Sequence, residues 1–289
     1  MMTHTNAARL VLWMSGALLA FSTMAVSIRA LAGILNVFEI LAIRSASGLI
    51  ILLTLVAVRP SLRASLVFRR VGLQVVRNSV HFAAQSAWAL SITLLPLATA
   101  FALEFTAPAW VALFAVVLLG ERLTASRIGA VALGFVGVLV ILHPGIGTFR
   151  PIALVMLGAA IGFALAIIAT KKLTATEGTL TILLWMNALQ LPMNLAGSDL
   201  LFWLKLDASH LLPVLGVAVA GISSHFCLTS AFRHGDATIV VPLDFLRIPL
   251  IALVGWWFYG EALDPLVFLG ALFIIVGVLW NLRAETARS

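Results

Sequence analysis

The chain has 289 residues, of which 62% are apolar and 10% charged, with a net charge of +7 and a mean hydropathy of +1.14. A soluble domain of this length must cover its surface with polar groups, so the composition excludes a soluble enzyme and points to the membrane. Long apolar runs without alternation, with eight Trp and 17 Phe against one Tyr, exclude an outer-membrane barrel, and the lone Cys227 excludes an intramolecular disulfide or a cysteine-rich metal centre.

A helix needs about 20 apolar residues to cross roughly 30 Å of hydrocarbon. Ten stretches are predicted to do so, in chain order 10–28, 34–58, 71–93, 98–119, 128–143, 151–170, 179–198, 211–231, 238–258 and 266–282. The first lacks an A-x-A-like site and reads as a retained span. Arg59-Pro60-Ser61, His143-Pro144-Gly145 and Lys171-Lys172 separate neighbouring spans. The turn Leu94-Leu95-Pro96-Leu97 is marked only by its proline and the fifth span is short, so nine spans is the competing count. With the N-terminus inside, 13 basic residues fall on the cytoplasmic side, Arg63, Arg69, Arg70, Arg77 and Arg127 among them, against Arg29, Arg150 and Lys205 outside. The positive-inside bias then places both termini in the cytoplasm. It also accounts for the basic balance without nucleic acid, since no loop joins a basic patch to aromatic residues that could stack on bases.

The chain repeats itself. Gly120-Glu121 recurs 140 residues later as Gly260-Glu261, Glu104-Phe105 falls on Asp244-Phe245, and Gly137-Val138-Leu139 on Gly277-Val278-Leu279. His81-Phe82 answers His225-Phe226 at an offset of 144. Five spans per copy is an odd number, so the second copy enters the membrane in the opposite sense. The predicted fold is therefore all-α, ten transmembrane helices as two inverted five-helix repeats, 10–143 and 151–282. Such repeats place a substrate site near the midplane in secondary transporters, where one half rocks against the other.

The segment from Glu104 to Glu121, its echo from Pro242 to Glu261, and Phe38-Glu39-Ile-Leu-Ala-Ile-Arg44 resemble the paired EamA domains of the drug/metabolite transporter superfamily. The resemblance implies a bacterial inner-membrane carrier with a central cavity between its halves, and it leaves the substrate open. Members move amino acids, nucleotides, vitamins, S-adenosylmethionine, opine-type metallophores and drugs.

Ionisable groups at membrane depth are costly, so each is a candidate for function. Arg44 lies in span two, Glu104 in span four, and Asp244 and Arg247 in span nine. Their charges cancel. Asp244 and Arg247 are spaced three apart for direct pairing, and Glu104 needs Arg44 or Arg247 from another helix. Pro108, Pro249 and Pro242 have no N–H, which frees the carbonyls of Glu104, Phe245 and Thr238 for a polar cavity. Structural pairing between helices is the competing role for these charges.

His81 and His225 have the pKa range of proton relays, and His81 shares a helix face with Asn78 and Gln85. The proton-coupling candidates are Glu104, Asp244, His81 and His225. Trp88, Trp110 and Trp185 could stack on a flat substrate; Trp256, Trp257 and Tyr259 read as interfacial anchors. Gly158-Ala-Ala-Ile-Gly162 reads as a close-packing face, within the bundle or between two protomers of a homodimer. The two Gly-Glu pairs read as helix stops with a structural role.

No histidines have metal-ligand spacing, and no cofactor is expected. The absence of a Walker A motif leaves exchange, facilitated diffusion or proton coupling as the driving force. The expected function is movement of a small amphipathic, zwitterionic metabolite across the inner membrane, with export favoured and uptake of a riboflavin-like or S-adenosylmethionine-like solute as the alternative. An intramembrane enzyme lacks its catalytic set, and a channel or receptor has no positive support.

Overall fold

The structure is a computed structural model that describes residues 4–63, 66–67, 69–120, 124–142, 150–234, 240 and 243–286. Among the described residues it is helical throughout and has no strand. The helices are α1 His4–Leu31, α2 Val37–Val58, α3 Pro60–Arg63, α4 Val71–Leu94, α5 Leu97–Glu104, α6 Ala107–Leu119, α7 Ala125–Leu142, α8 Ile152–Thr174, α9 Thr179–Ala196, α10 Leu211–His234, α11 Arg247–Tyr259 and α12 Pro265–Thr286. Two 3-10 turns, Phe202–Lys205 and Ala208–His210, lie before α10.

Seven helical stretches among the described residues are long and apolar enough to cross a membrane. They are α1, α2, the joined α5–α6, α7, α8, α10 and α12; α11 is apolar but shorter. Helices α4 and α9 are not among the seven. They carry buried polar side chains instead, Gln74, Arg77, Asn78, His81 and Gln85 on α4 and Asn187, Gln190 and Asn194 on α9. Large apolar residues such as Leu12, Val58, Leu212 and Trp257 face outward, while these polar groups lie inside. Water would punish that arrangement; lipid favours it.

Local chemistry sets the ends of these helices. Asn36 and Glu39 form a reciprocal cap on α2, each side chain accepting from the other's backbone N–H, at 2.9 and 2.8 Å. Gly120 and Gly260 close α6 and α11 in the left-handed region, at φ 71° and 63°, where a Cβ would be strained. Leu95 and Pro96 are extended between α4 and α5, so the proline marks a real turn. Helix α8 runs through Lys171-Lys172 to Thr174, because two long basic side chains extend a helix into the interface as readily as they end it. The expected loop at that pair is thereby corrected.

The fourth and ninth spans are both broken. Phe105 and Thr106 interrupt the chain between α5 and α6, and Phe245 and Leu246 form the turn before α11. Each interruption precedes a proline, Pro108 or Pro249, which cannot continue the hydrogen-bond ladder. Pro242 and Thr238 lie outside the described residues.

Packing follows a reciprocal pattern. Helix α1 lies along α10 and α4 along α8, α2 packs on α9, and α7 on α12. Adding about 140 residues turns α1 into α8, α4 into α10, α2 into α9 and α7 into α12, so each contact maps onto another contact or onto itself. One pair of close approaches follows the same exchange. A methyl on Gly137 would strike the Gly270 carbonyl, and one on Gly277 would sit 3.1 Å from Ala130 Cα. In α8 only Gly162 makes a close approach, with a Cβ there falling 2.8 Å from that of Ala84. Gly158 faces open space, so within this chain only Gly162 of the expected pair packs closely.

Candidate functional site

The two helix breaks meet. Phe105 and Phe245, one at each break, have ring centroids 4.8 Å apart. Glu104 is the last residue of α5, Asp244 precedes the second break, and Arg247 opens α11. The Arg247 guanidinium donates to Asp244 Oδ1 and to Glu104 Oε1, the latter at 3.4 Å. Trp88 Nε1 donates to the other Glu104 oxygen at 2.7 Å. Arg247 lies over the Phe21 ring at 3.8 Å, with Phe105 at 5.2 Å, where the aromatic faces favour its charge. Two acids share one arginine, so this triad has a net charge of −1 when both are ionised.

Arg44 is not part of the triad, which corrects the expectation of one balanced quartet. It is buried, and its Nη1 donates to Gln85 Oε1 at 2.7 Å. Its stem lies against Gly221, where an added Cβ would fall 3.0 Å from Nε and 3.1 Å from Cγ. Arg247 is thus the partner of Glu104, because α5 packs on α11 while α2 packs on α9 and α10.

A buried polar track continues along α4. His81 Nδ1 meets Gln190 Nε2 at 2.9 Å and its ring stands edge-on to Phe163. Arg77 donates to Thr170 Oγ1 at 3.1 Å and to Asn78 Oδ1 at 2.6 Å. Asn78 in turn donates to the Gln74 carbonyl at 2.8 Å, and Gln74 to Glu177 at 2.6 Å. Arg77 and Arg127 are both buried. The His225 side chain and Glu121 lie outside the described residues.

The aromatic candidates separate. Trp88 reaches the site, whereas Trp110 packs with Phe114 and Phe135 beside Leu157, in an apolar setting. Trp185 is half-buried on α9. Trp256 and Trp257 face outward, and Tyr259 donates to the Val26 carbonyl at 3.2 Å. A cleft of about 560 Å³ opens on another face of α4, bounded by Asn36, Phe38, Ser86 and Leu90. Among the described residues no cluster of His, Cys, Asp or Glu could hold a metal ion.

Sequence reasoning missed the ties at the two ends of the bundle. At one end Glu261 accepts from Arg29 and, at 2.8 Å, from the Leu97 N–H, while Arg29 also donates to the Ile92 and Leu95 carbonyls. This joins α1, the α4–α5 turn and the turn after α11. Nearby, Glu39 accepts from Lys205 Nζ at 2.7 Å. At the opposite end Glu177 accepts from the N–H groups of Arg69 and Arg70. Burial pushes the Glu177 carboxyl up, but the Gln74 amide and these N–H groups outweigh it and hold the group below its ordinary value. The Gly-Glu motif was visible in sequence; its partner Arg29, 232 residues away, was not.

An inside-out helical bundle with paired broken helices and charge at depth defines a multi-pass membrane protein. The sequence pattern of the EamA-like transporter family matches residues 8–143 and 150–283. The chain belongs to that family, within the drug/metabolite transporter superfamily. It is 34% identical to a riboflavin transporter of Rhizobium johnstonii, covering 70% of this chain and 67% of the relative. It is 28% identical to an S-adenosylmethionine uptake transporter of Rickettsia prowazekii, covering 73% and 71%. It is 29% identical to the pseudopaline exporter CntI of Pseudomonas aeruginosa, covering 92% and 95%. A solved crystal structure of a protein 18% identical superposes with a TM-score of 0.55 over 94% of both chains, a likeness of fold alone.

Proposed function

We propose that the protein is a secondary carrier of a small, amphipathic, zwitterionic metabolite, working by alternating access between inverted halves 10–143 and 151–282 with both termini cytoplasmic. The observation that carries this reading is the meeting of the two broken helices at an acidic triad. Discontinuous helices in corresponding positions of two repeats are the usual place for a transporter's site. The reciprocal helix packing supports the inverted relation. The ends of the bundle support ten crossings: Arg29, Leu97 and Glu261 gather at one end, Arg70 and Glu177 at the other.

The triad supplies a mechanism. Glu104 and Asp244 compete for Arg247, and their odd negative charge in a low-dielectric interior has to be met by a proton or by a cationic group of the solute. Exchange of one for the other couples the two. His81, held by Gln190, is the relay candidate along α4, and His225 is its counterpart by the repeat. Rearrangement of the Arg29–Glu261 tie would open one end of the bundle; rearrangement around Glu177 would open the other.

Export is the first reading of direction, supported by likeness to the Pseudomonas exporter over 92% of this chain. Uptake of a vitamin or nucleoside-type solute is the second, supported by the riboflavin and S-adenosylmethionine relatives. Rescue of an auxotroph by the expressed protein selects uptake; resistance to a toxic analogue selects export. Glu104→Gln and Asp244→Asn in reconstituted vesicles should each abolish transport with the fold retained, and full activity in both would overturn the site.

A further inference from the structure

We propose that Arg44 and Gln85 form the subsite for an acidic group, a carboxylate or phosphate, on the transported solute. The inference deepens the carrier reading above and rests on it. Arg44 and Gln85 are more than nine-tenths buried, at 7% and 5% exposure. Their single mutual bond uses Arg44 Nη1 and Gln85 Oε1, and it leaves two buried donors, Arg44 Nε and Gln85 Nε2, without partners among the described residues. No carboxylate among the described residues pairs with Arg44. Arg77 is the charge that acts on it, and that charge is also positive. A buried cation beside two unused donors is costly unless an anion arrives.

Position favours a solute over a lipid headgroup. Arg44 is eight residues past the Asn36 cap of α2, about 12 Å along the helix. Gln85 lies one turn from Trp88, which holds Glu104. The positive subsite and the negative triad therefore occupy adjacent turns of one face of α4, and together they match a solute with an ammonium and a carboxylate at opposite ends. Gly221 provides the room, because a side chain there would press on Arg44 Nε and Cγ.

The test uses the purified full-length protein in detergent, with acetate and inorganic phosphate as probes and thermal unfolding as readout. In low-anion buffer Arg44→Met should melt about 2–4 °C above wild type, since it removes an uncompensated charge. Acetate or phosphate should stabilise wild type saturably and Arg44→Met not at all. Gly221→Ala, a substitution that suits a helix, is a second variant that keeps the arginine; it should weaken the anion response several-fold. A lower melting temperature for Arg44→Met, or equal anion responses in wild type and Gly221→Ala, overturns the subsite. Glu104→Gln separates the two readings: it should end transport and keep the acetate response. Loss of the response in Gly221→Ala with transport intact in Glu104→Gln would sink the triad and leave the anion subsite standing.

Discussion

Arg247 on α11 and Arg44 on α2 are two buried arginines, and their surroundings are opposite. Arg247 has two carboxylates, a neighbouring indole that fixes one of them, and aromatic faces on its guanidinium. Arg44 has one neutral amide and a nearby like charge. The first is over-supplied with negative charge and the second has none among the described residues, so neither is a closed ion pair there. A helix-joining pair has no reason to leave an excess at one turn and a deficit at the next. The proposed zwitterion site does.

The comparison can be broken by stability measurements of opposite sign. Arg247→Met leaves the partly buried Glu104 and Asp244 without a cation and should cost about 3 kcal/mol, read as a lower unfolding midpoint, whereas Arg44→Met should raise it. If both variants lose stability alike, the contrast between the two arginines fails. At the Arg29 end, Glu261→Gln keeps an acceptor for the Leu97 N–H but loses the charge on Arg29. The expected cost is about 2 kcal/mol, and a stability equal to wild type would mean the tie contributes nothing.

The smallest effect is expected at Glu177, whose hydrogen bonds among the described residues come from the neutral Gln74 amide and from backbone N–H groups, with the Arg70 charge acting from farther off. Glu177→Gln should cost about 1 kcal/mol at neutral pH. Because the folded protein holds this carboxyl below its ordinary value of 4.5, its contribution is complete above that value and is lost as pH falls through the lower folded value. The gap between wild type and Glu177→Gln should therefore close on acidification below about pH 4.5. A gap that widens there would reverse the assignment.

Much of this was legible in sequence, for identifiable reasons. Prolines delete an N–H wherever they stand, so Pro108 and Pro249 marked freed carbonyls in two spans that read as continuous, and the structure breaks both helices there. The offset of 140 aligned Glu104-Phe105 with Asp244-Phe245, and the structure puts the two phenyl rings in contact. Spacing of three tied Asp244 to Arg247, although the structure sets that pair across a turn instead of along one helix. What sequence did not reveal is which helices touch. Arg77 near a span end reads the same whether it reaches the surface or is buried against Thr170 of α8. The choice of Arg247 over Arg44 as the partner of Glu104, and of Arg29 for Glu261, likewise depends on packing between distant segments. Glu39 looked like part of a motif; its reciprocal cap with Asn36 and its bond to Lys205 needed the geometry of the end of α9.

Flux through purified protein in sealed vesicles tests the central claim most directly. Labelled riboflavin, S-adenosylmethionine and a panel of amino acids are the probes, with wild type and Glu104→Gln compared in the same preparation. The account predicts saturable flux of one of these solutes at carrier rates in wild type and its loss, by more than about tenfold, in Glu104→Gln. Equal flux in the two proteins, or ionic current at channel rates, would contradict it.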